Sequence, residues 1–244
     1  MAWRRLYITV EGQTERKFAD DVLQPHLTQY SLDVRTRVVV TNRKMGKRGG
    51  ILNFANILDD LNRLMLENKN NDAMFTTMLD LYALPNEFPG WEEAQKKTVP
   101  AERVFILEAA FRTVMGNERF FPYIQLHEFE ALLYCDLSKL KMRIPDSDHA
   151  IKLLSSDVAD LAPEDINEGA NTAPSKRIIR YLPLDEKTKV RIGAPAAADI
   201  GLPVLRKRCP HFNEWVVNLE GLGKPHSLSG GPTSPPHISD GKPE

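Results

Sequence analysis

Cysteine is scarce: the chain has 2 in 244 residues, Cys135 and Cys209. That excludes a disulfide framework and a four-cysteine zinc site. Long apolar runs are missing too, and none approaches the roughly 18 residues that a membrane span needs. The N-terminus lacks the pattern of a secretory leader, because Trp3-Arg4-Arg5 leads at once into a short β-like run ending at Glu11. A soluble protein in a reducing, cytoplasmic setting is expected, with no membrane partner. Neither sign of charge is in excess, with 32 Lys+Arg against 33 Asp+Glu and a formal net charge of −1. That balance argues against coating nucleic acid by bulk charge and leaves a local basic groove open. No repeat of solenoid period is visible. What is present is 42% hydrophobic and 27% charged. That composition excludes disorder as the main state and suffices for one sizeable domain, with or without a modest appendage.

Two periodicities alternate through the first part of the chain. Leu6 to Val10 is a short run of β-formers closed by Glu11-Gly12. Phe18, Val22 and Leu23 then recur at helical spacing, and this helix is expected to stop near Pro25. Val34, Thr36, Val38 and Val40 alternate with Arg35, Arg37 and Val39 as a second strand. A basic, glycine-rich loop from Lys44 to Gly50 precedes a helix with the apolar stripe Ile51, Phe54, Leu58, Leu61 and Met65. Ala73 to Leu79 reads as a third strand stopping at Asp80, Val104, Leu107, Phe111 and Val114 as a helix, and Phe121 to Leu126 as a fourth strand. Strands alternating with helices specify right-handed βαβ units, and so an α/β fold with a mainly parallel, Rossmann-like four-stranded sheet flanked by helices. Residues 1–138 are assigned to this unit. Residues 139–220 carry a weaker pattern, with helical spacing at Asp157 to Leu161 and Pro203 to Leu219, and are expected to form a small helical extension on the sheet. From 221 to 244 Gly, Pro and Ser dominate, which predicts a disordered tail.

In an open parallel sheet the ligand site lies beyond the carboxyl ends of the strands. Three strand ends terminate in acid there: Glu11, Asp80 and Glu128. Glu15 lies one helical turn beyond Glu11 and returns to the same edge. Glu130 shares a face with Glu128 if the fourth strand continues that far. Each such acid taken singly is also what a solvated loop or a helix cap would show. Taken together, clustered carboxylates repel unless a cation sits among them, and hard oxygen ligands without a His/Cys set favour Mg²⁺ or Mn²⁺ over zinc.

The segments EGQTE (Glu11 to Glu15), MLDLYALPNEFPGW, YIQLHEFEALLY, APSKRI (Ala173 to Ile178) and IGLPVLRKRCPHFNEW resemble, in order and spacing, a bacterial family. It is domain-of-unknown-function family 4276, related to the TOPRIM (topoisomerase–primase) fold and to the overcoming-lysogenisation-defect (OLD) nucleases. The likeness spans residues from about 5 to 220. It implies a TOPRIM-like fold and metal-dependent hydrolysis of phosphodiester bonds in DNA or RNA. Glu11 matches a first-strand glutamate with a general acid/base or metal role, and Glu15 a second glutamate of the OLD-like branch. Asp80 matches the first acid of a DxD pair. Tyr82 stands where the second acid would be, so Glu128 and Glu130 become the remaining candidates for metal ligation. Lys176 and Arg177 are the candidate cations against developing negative charge. The likeness also implies an antiphage or genome-maintenance complex with an ATPase of the SMC/ABC or AAA type. Two alternatives stay open, a non-catalytic binding or regulatory subunit of such a complex and an endonuclease of structured, tRNA-type RNA.

Several further features have two readings each. Between Val34 and Leu58 no acid occurs, and Arg43, Lys44, Lys47 and Arg48 fall there with Arg35 and Arg37, either as a track for a phosphate backbone or as a solvated loop. The GxxxxGK[ST] order of a P-loop is absent, so no ATPase is expected of this chain itself. His127 is either a metal ligand or a hydrogen-bonded structural residue. Trp91 either stacks on a base or anchors a loop. Arg206, Lys207 and Arg208 form either a continuation of the basic track or a solvated helix face.

Overall fold

A computed structural model of the chain describes residues 3–42, 47–48, 53–166, 169, 171–182 and 186–223. The elements run β1 (Arg4–Val10), α1 (Gln13–Phe18), a π-helical turn (Ala19–Leu23), α2 (Gln24–Thr28), β2 (Leu32–Val38), and a hairpin of β3 (Val40–Asn42) with β4 (Lys47–Arg48). Next come α3 (Phe54–Glu67), β5 (Ala73–Asp80), α4 (Trp91–Gln95), α5 (Pro100–Met115), β6 (Phe120–Phe121) and β7 (Ile124–Gln125). The remainder is helical: a 3₁₀ segment (Phe129–Cys135), α6 (Ser138–Lys141), α7 (Asp148–Asp157), a 3₁₀ turn (Pro163–Asp165), α8 (Pro174–Tyr181), α9 (Glu186–Ile200), α10 (Leu202–Arg208) and α11 (Pro210–Gly223).

The main sheet has the order β2-β1-β5-β6, with β7 also on β5, and every pairing in it is parallel. Strand alternation divides the core in two. Leu6, Ile8 and Val10 face a cluster with Phe18, Leu23 and Leu27, and helices from beyond residue 136 complete it through Ile178, Ala194, Ala197, Phe212 and Leu219. Tyr7, Phe75 and Leu79 face the other side and pack against Ile57, Leu61, Leu107 and Phe111 of α3 and α5. The C-terminal helices thus complete one face of the sheet. Trp215 Nε1 donates to the buried Thr76 Oγ1 at 2.9 Å, and Arg4 Nη1 to the Leu222 carbonyl at 3.0 Å. Close approach is built in: a side chain at Gly193 of α9 would begin 3.2 Å from Thr14 Cγ2 and 3.6 Å from the Phe129 ring.

Some elements differ from the sequence expectation. The first helical stretch passes Pro25 and ends at Thr28. The wider π turn comes just before the proline, where an i−4 bond to a missing N–H would otherwise be lost. In α5 the buried stripe closes on Met115, and Val114 is exposed. The fourth strand is two short strands broken at Pro122, and it stops at Gln125. Asp157 ends α7 rather than starting a helix, and α8 and α9 are helices beyond those the spacing predicts. Gly221 to Gly223 close α11, and the rest of the expected tail lies outside the described residues. No helix among the described residues is long and apolar enough to cross a membrane.

Candidate functional site

Register brings the acids together. Val10 pairs with Val38 and Met78, and Asp80 with Gln125, so β1, β5 and β7 all end at one edge. Glu11 follows β1 directly, and its Oε2 accepts from the Asp80 backbone N–H at 3.3 Å. Glu15 is buried in the first turn of α1, and its Oε2 accepts from the Gly12 N–H at 2.8 Å, one half of a capping box. A side chain at Gly12 would start 3.0 Å from that oxygen, so glycine keeps the carboxylate against the backbone. Glu128 precedes the 3₁₀ segment and is held by α8: Ser175 donates its N–H to Oε1 at 2.6 Å and its hydroxyl to Oε2 at 3.0 Å. The strand does not reach Glu130. This residue lies in the first turn of the 3₁₀ segment, so its relation to Glu128 is set by that turn and not by strand alternation.

These groups sense one another. Burial, and then the charges of Glu15 and Glu128, push the Glu11 carboxyl up to about 7, against the partial relief of the Asp80 N–H. Burial raises Glu15. Asp80 lies well above the usual carboxylate range through burial and then through Glu11, Glu15, Glu130 and Glu128. Asp80 Oδ1 is buried and has no hydrogen-bond partner among the described residues. Burial and mutual repulsion therefore favour protons at this edge unless positive charge enters. Among the described residues no three acidic, His or Cys groups already converge closely enough to hold a metal ion. The donor set is nonetheless all carboxylate oxygen, and with the unsatisfied Asp80 oxygen it suits a hard divalent cation.

The other candidates fall in different places. Lys176 is exposed on α8, one residue from the group that holds Glu128. Arg177 is committed to Asp157 Oδ2 and to the Thr172 carbonyl, each at 2.8 Å. His127 is buried with a left-handed backbone, φ 65°, and its Nε2 lies 2.9 Å from the Glu164 carbonyl, which is the structural reading of that residue. Arg35 and Arg37 are met by acids at the edges of the basic stretch, Arg35 by Asp33 at 2.8 Å and Arg37 by the buried Asp60 at 2.7 Å. Arg43 and Lys44 lie outside the described residues, and the backbone of Lys47 and Arg48 forms β4. Lys207 and Arg208 are exposed on α10, as a solvated face would have them, whereas Arg206 is half-buried. Arg206 binds Asn213 and Glu220, and Arg208 donates to the Cys135 carbonyl at 2.8 Å. Trp91 is half-buried against the core of its face of the sheet. Ser175, which no sequence pattern singles out, stands inside the APSKRI segment next to Lys176.

Fold and site together define an α/β protein with a buried acidic group at the carboxyl edge of a parallel sheet. The chain belongs to the family described as Domain of unknown function (DUF4276), which matches residues 10–220. No curated protein matches. Among solved structures, the chain is similar to crystals of the C-terminal region of the Xanthomonas campestris pv. campestris OLD protein. The platinum-phased structure is 17% identical, with 88% of this chain and 95% of that chain covered and a TM-score of 0.37. The iodine-phased one is 15% identical, with 89% and 98% covered and a TM-score of 0.32.

Proposed function

We propose that the chain is a metal-dependent nuclease that hydrolyses phosphodiester bonds of nucleic acid on a TOPRIM-like sheet. One observation carries this reading: carboxylates from separate elements share one sheet edge and raise one another's affinity for protons, around a buried Asp80 oxygen without a hydrogen-bond partner among the described residues. Glu11, Glu15, Asp80, Glu128 and Glu130 would hold Mg²⁺ or Mn²⁺. A divalent ion in such a site polarises phosphoryl oxygens and lowers the pKa of water. Where Glu11, braced by the Asp80 N–H, does not bind the metal directly, it is the group that moves a proton. Lys176 meets the negative charge that develops on the phosphate. Arg177 acts through position, because its bonds to Asp157 and the Thr172 carbonyl hold α8, and α8 holds Glu128. The hairpin that carries Lys47 and Arg48, with Arg43 and Lys44, follows the nucleic-acid backbone. By family resemblance, the nuclease is the effector of an antiphage or genome-maintenance system and works with an SMC/ABC- or AAA-type ATPase.

The test is cleavage of supercoiled plasmid, linear duplex, single strands and total tRNA with Mn²⁺ or Mg²⁺, beside Glu11→Gln and Asp80→Asn. Metal-dependent cleavage that both variants lose supports the reading and separates DNA from RNA as substrate. A second reading, a non-catalytic binding or regulatory subunit, is favoured by Tyr82, a 46% exposed side chain where the resemblance expects a second acid. Absence of cleavage with the ATPase and nucleotide added would select it.

A further inference from the structure

Away from the acidic edge, a cavity of about 700 Å³ lies between α5 and α11, over β6 and β7. Tyr123 and Trp215 line it, stacked with ring centroids 4.2 Å apart and planes at 8°. Phe105 projects from the α5 wall with 73% of its surface exposed, more than any other large hydrophobic side chain described. Tyr123 and Trp215 are themselves buried and floor the hole, so the exposed Phe105 ring stands as a knob at its mouth. Glu108 of α5 and His211 of α11 pair with each other in the floor at 3.1 Å, and the exposed rim charges differ in sign. Arg112 is exposed on the α5 side with its guanidinium 5.3 Å from the Phe121 ring centre. Asp165 and Glu214 are exposed on the side that α11 forms.

A patch that carries both a knob and a hole, with a cation on one rim and carboxylates on the other, complements itself under a half-turn. An occupant of single charge would meet repulsion on one rim. We propose that this groove is the interface of a two-fold dimer. Each Phe105 ring fills the opposite copy's groove, and each Arg112 lies beside the opposite copy's Asp165 and Glu214. The proposal uses no residue of the acidic edge, so it stands or falls apart from the nuclease reading.

Sedimentation of the full chain across the micromolar range is the test. The wild type is expected at twice 27.6 kDa. Phe105→Glu, an exposed position where folding is preserved, is expected to weaken association by about tenfold or more, as loss of an interface anchor does. Arg112→Glu and Glu214→Arg each weaken it, and the two together restore it, because the swap rebuilds the pair across the two-fold axis. A wild type that stays monomeric overturns the proposal and leaves the groove to residues 224–244 or to a different protein. A dimer indifferent to Phe105→Glu overturns it as well, and a double swap no better than the single changes overturns the rim pairing.

Discussion

Glu11 and Asp80 are held as acids at a price in stability that the protein reveals through pH. The folded-state value for Glu11, about 7, lies above the ordinary 4.5. The folded state therefore binds this proton more tightly than the unfolded chain. Stability from it is complete below pH 4.5 and is lost as pH rises through about 7. Metal-free Glu11→Gln is accordingly expected to exceed the wild type in stability at pH 8 by on the order of 1–3 kcal/mol and to match it near pH 4.5. Urea unfolding at both pH values measures this, and an unchanged difference between them would sink the assignment. A cation held at this edge, as proposed, would have to displace the same proton, so Mn²⁺ affinity measured by titration calorimetry is expected to climb between pH 6 and pH 8. Ser175→Ala is expected to weaken Mn²⁺ binding by about tenfold, with Ser175→Thr close to wild type, since the hydroxyl orients Glu128. Equal Mn²⁺ affinity in the alanine variant would show that the backbone N–H suffices. Of these residues the acids were legible, because strand ends and a parallel sheet fix where they must meet. Ser175 was not, because nothing local in APSKRI says that its neighbour in space is 47 positions earlier in the chain.

At the scale of elements, α9 decides how closely the C-terminal helices approach the site. Gly193 is where α9 meets Thr14, the residue before the buried Glu15. Gly193→Val would force overlap there. It is expected to destabilise the protein by about 1–3 kcal/mol, in the range of overpacked interiors, and to displace α1 with its carboxylate. Chemical denaturation checks the first part, and a loss of Mn²⁺ affinity larger than the stability loss explains would check the second. The sequence concealed this helix because Pro195 sits inside it, and an interior proline normally signals a helix end. Pro25 gives the same false stop signal in the first helix, where the π turn absorbs the missing donor. The strands of the sheet were easier, since β1 and β5 are buried runs of β-formers with acid at the end. The fourth strand was harder, because two short pairings with β5 replace one regular strand.

For the whole molecule, a cation that binds only the folded acidic edge is expected to raise the thermal midpoint, by an amount that grows with Mn²⁺ concentration and is lost in Asp80→Asn. Differential scanning calorimetry reads both effects. The α/β class and the edge that carries the acids could be read from the order of strands and helices. The joint core of sheet and C-terminal helices could not, since it consists of contacts between distant parts of the chain, such as Trp215 on Thr76. Those long-range contacts also set a schedule for folding. Until residues near 215–222 have been synthesised, one face of β1 and β5 has only the first helices over it and lacks the rest of its cover, although the strands' own pairing partners already exist. On the ribosome, where chains grow by about 5–20 residues per second, the emerging strands therefore spend several seconds with part of this apolar face open to water, the stage at which the chain is most prone to aggregate.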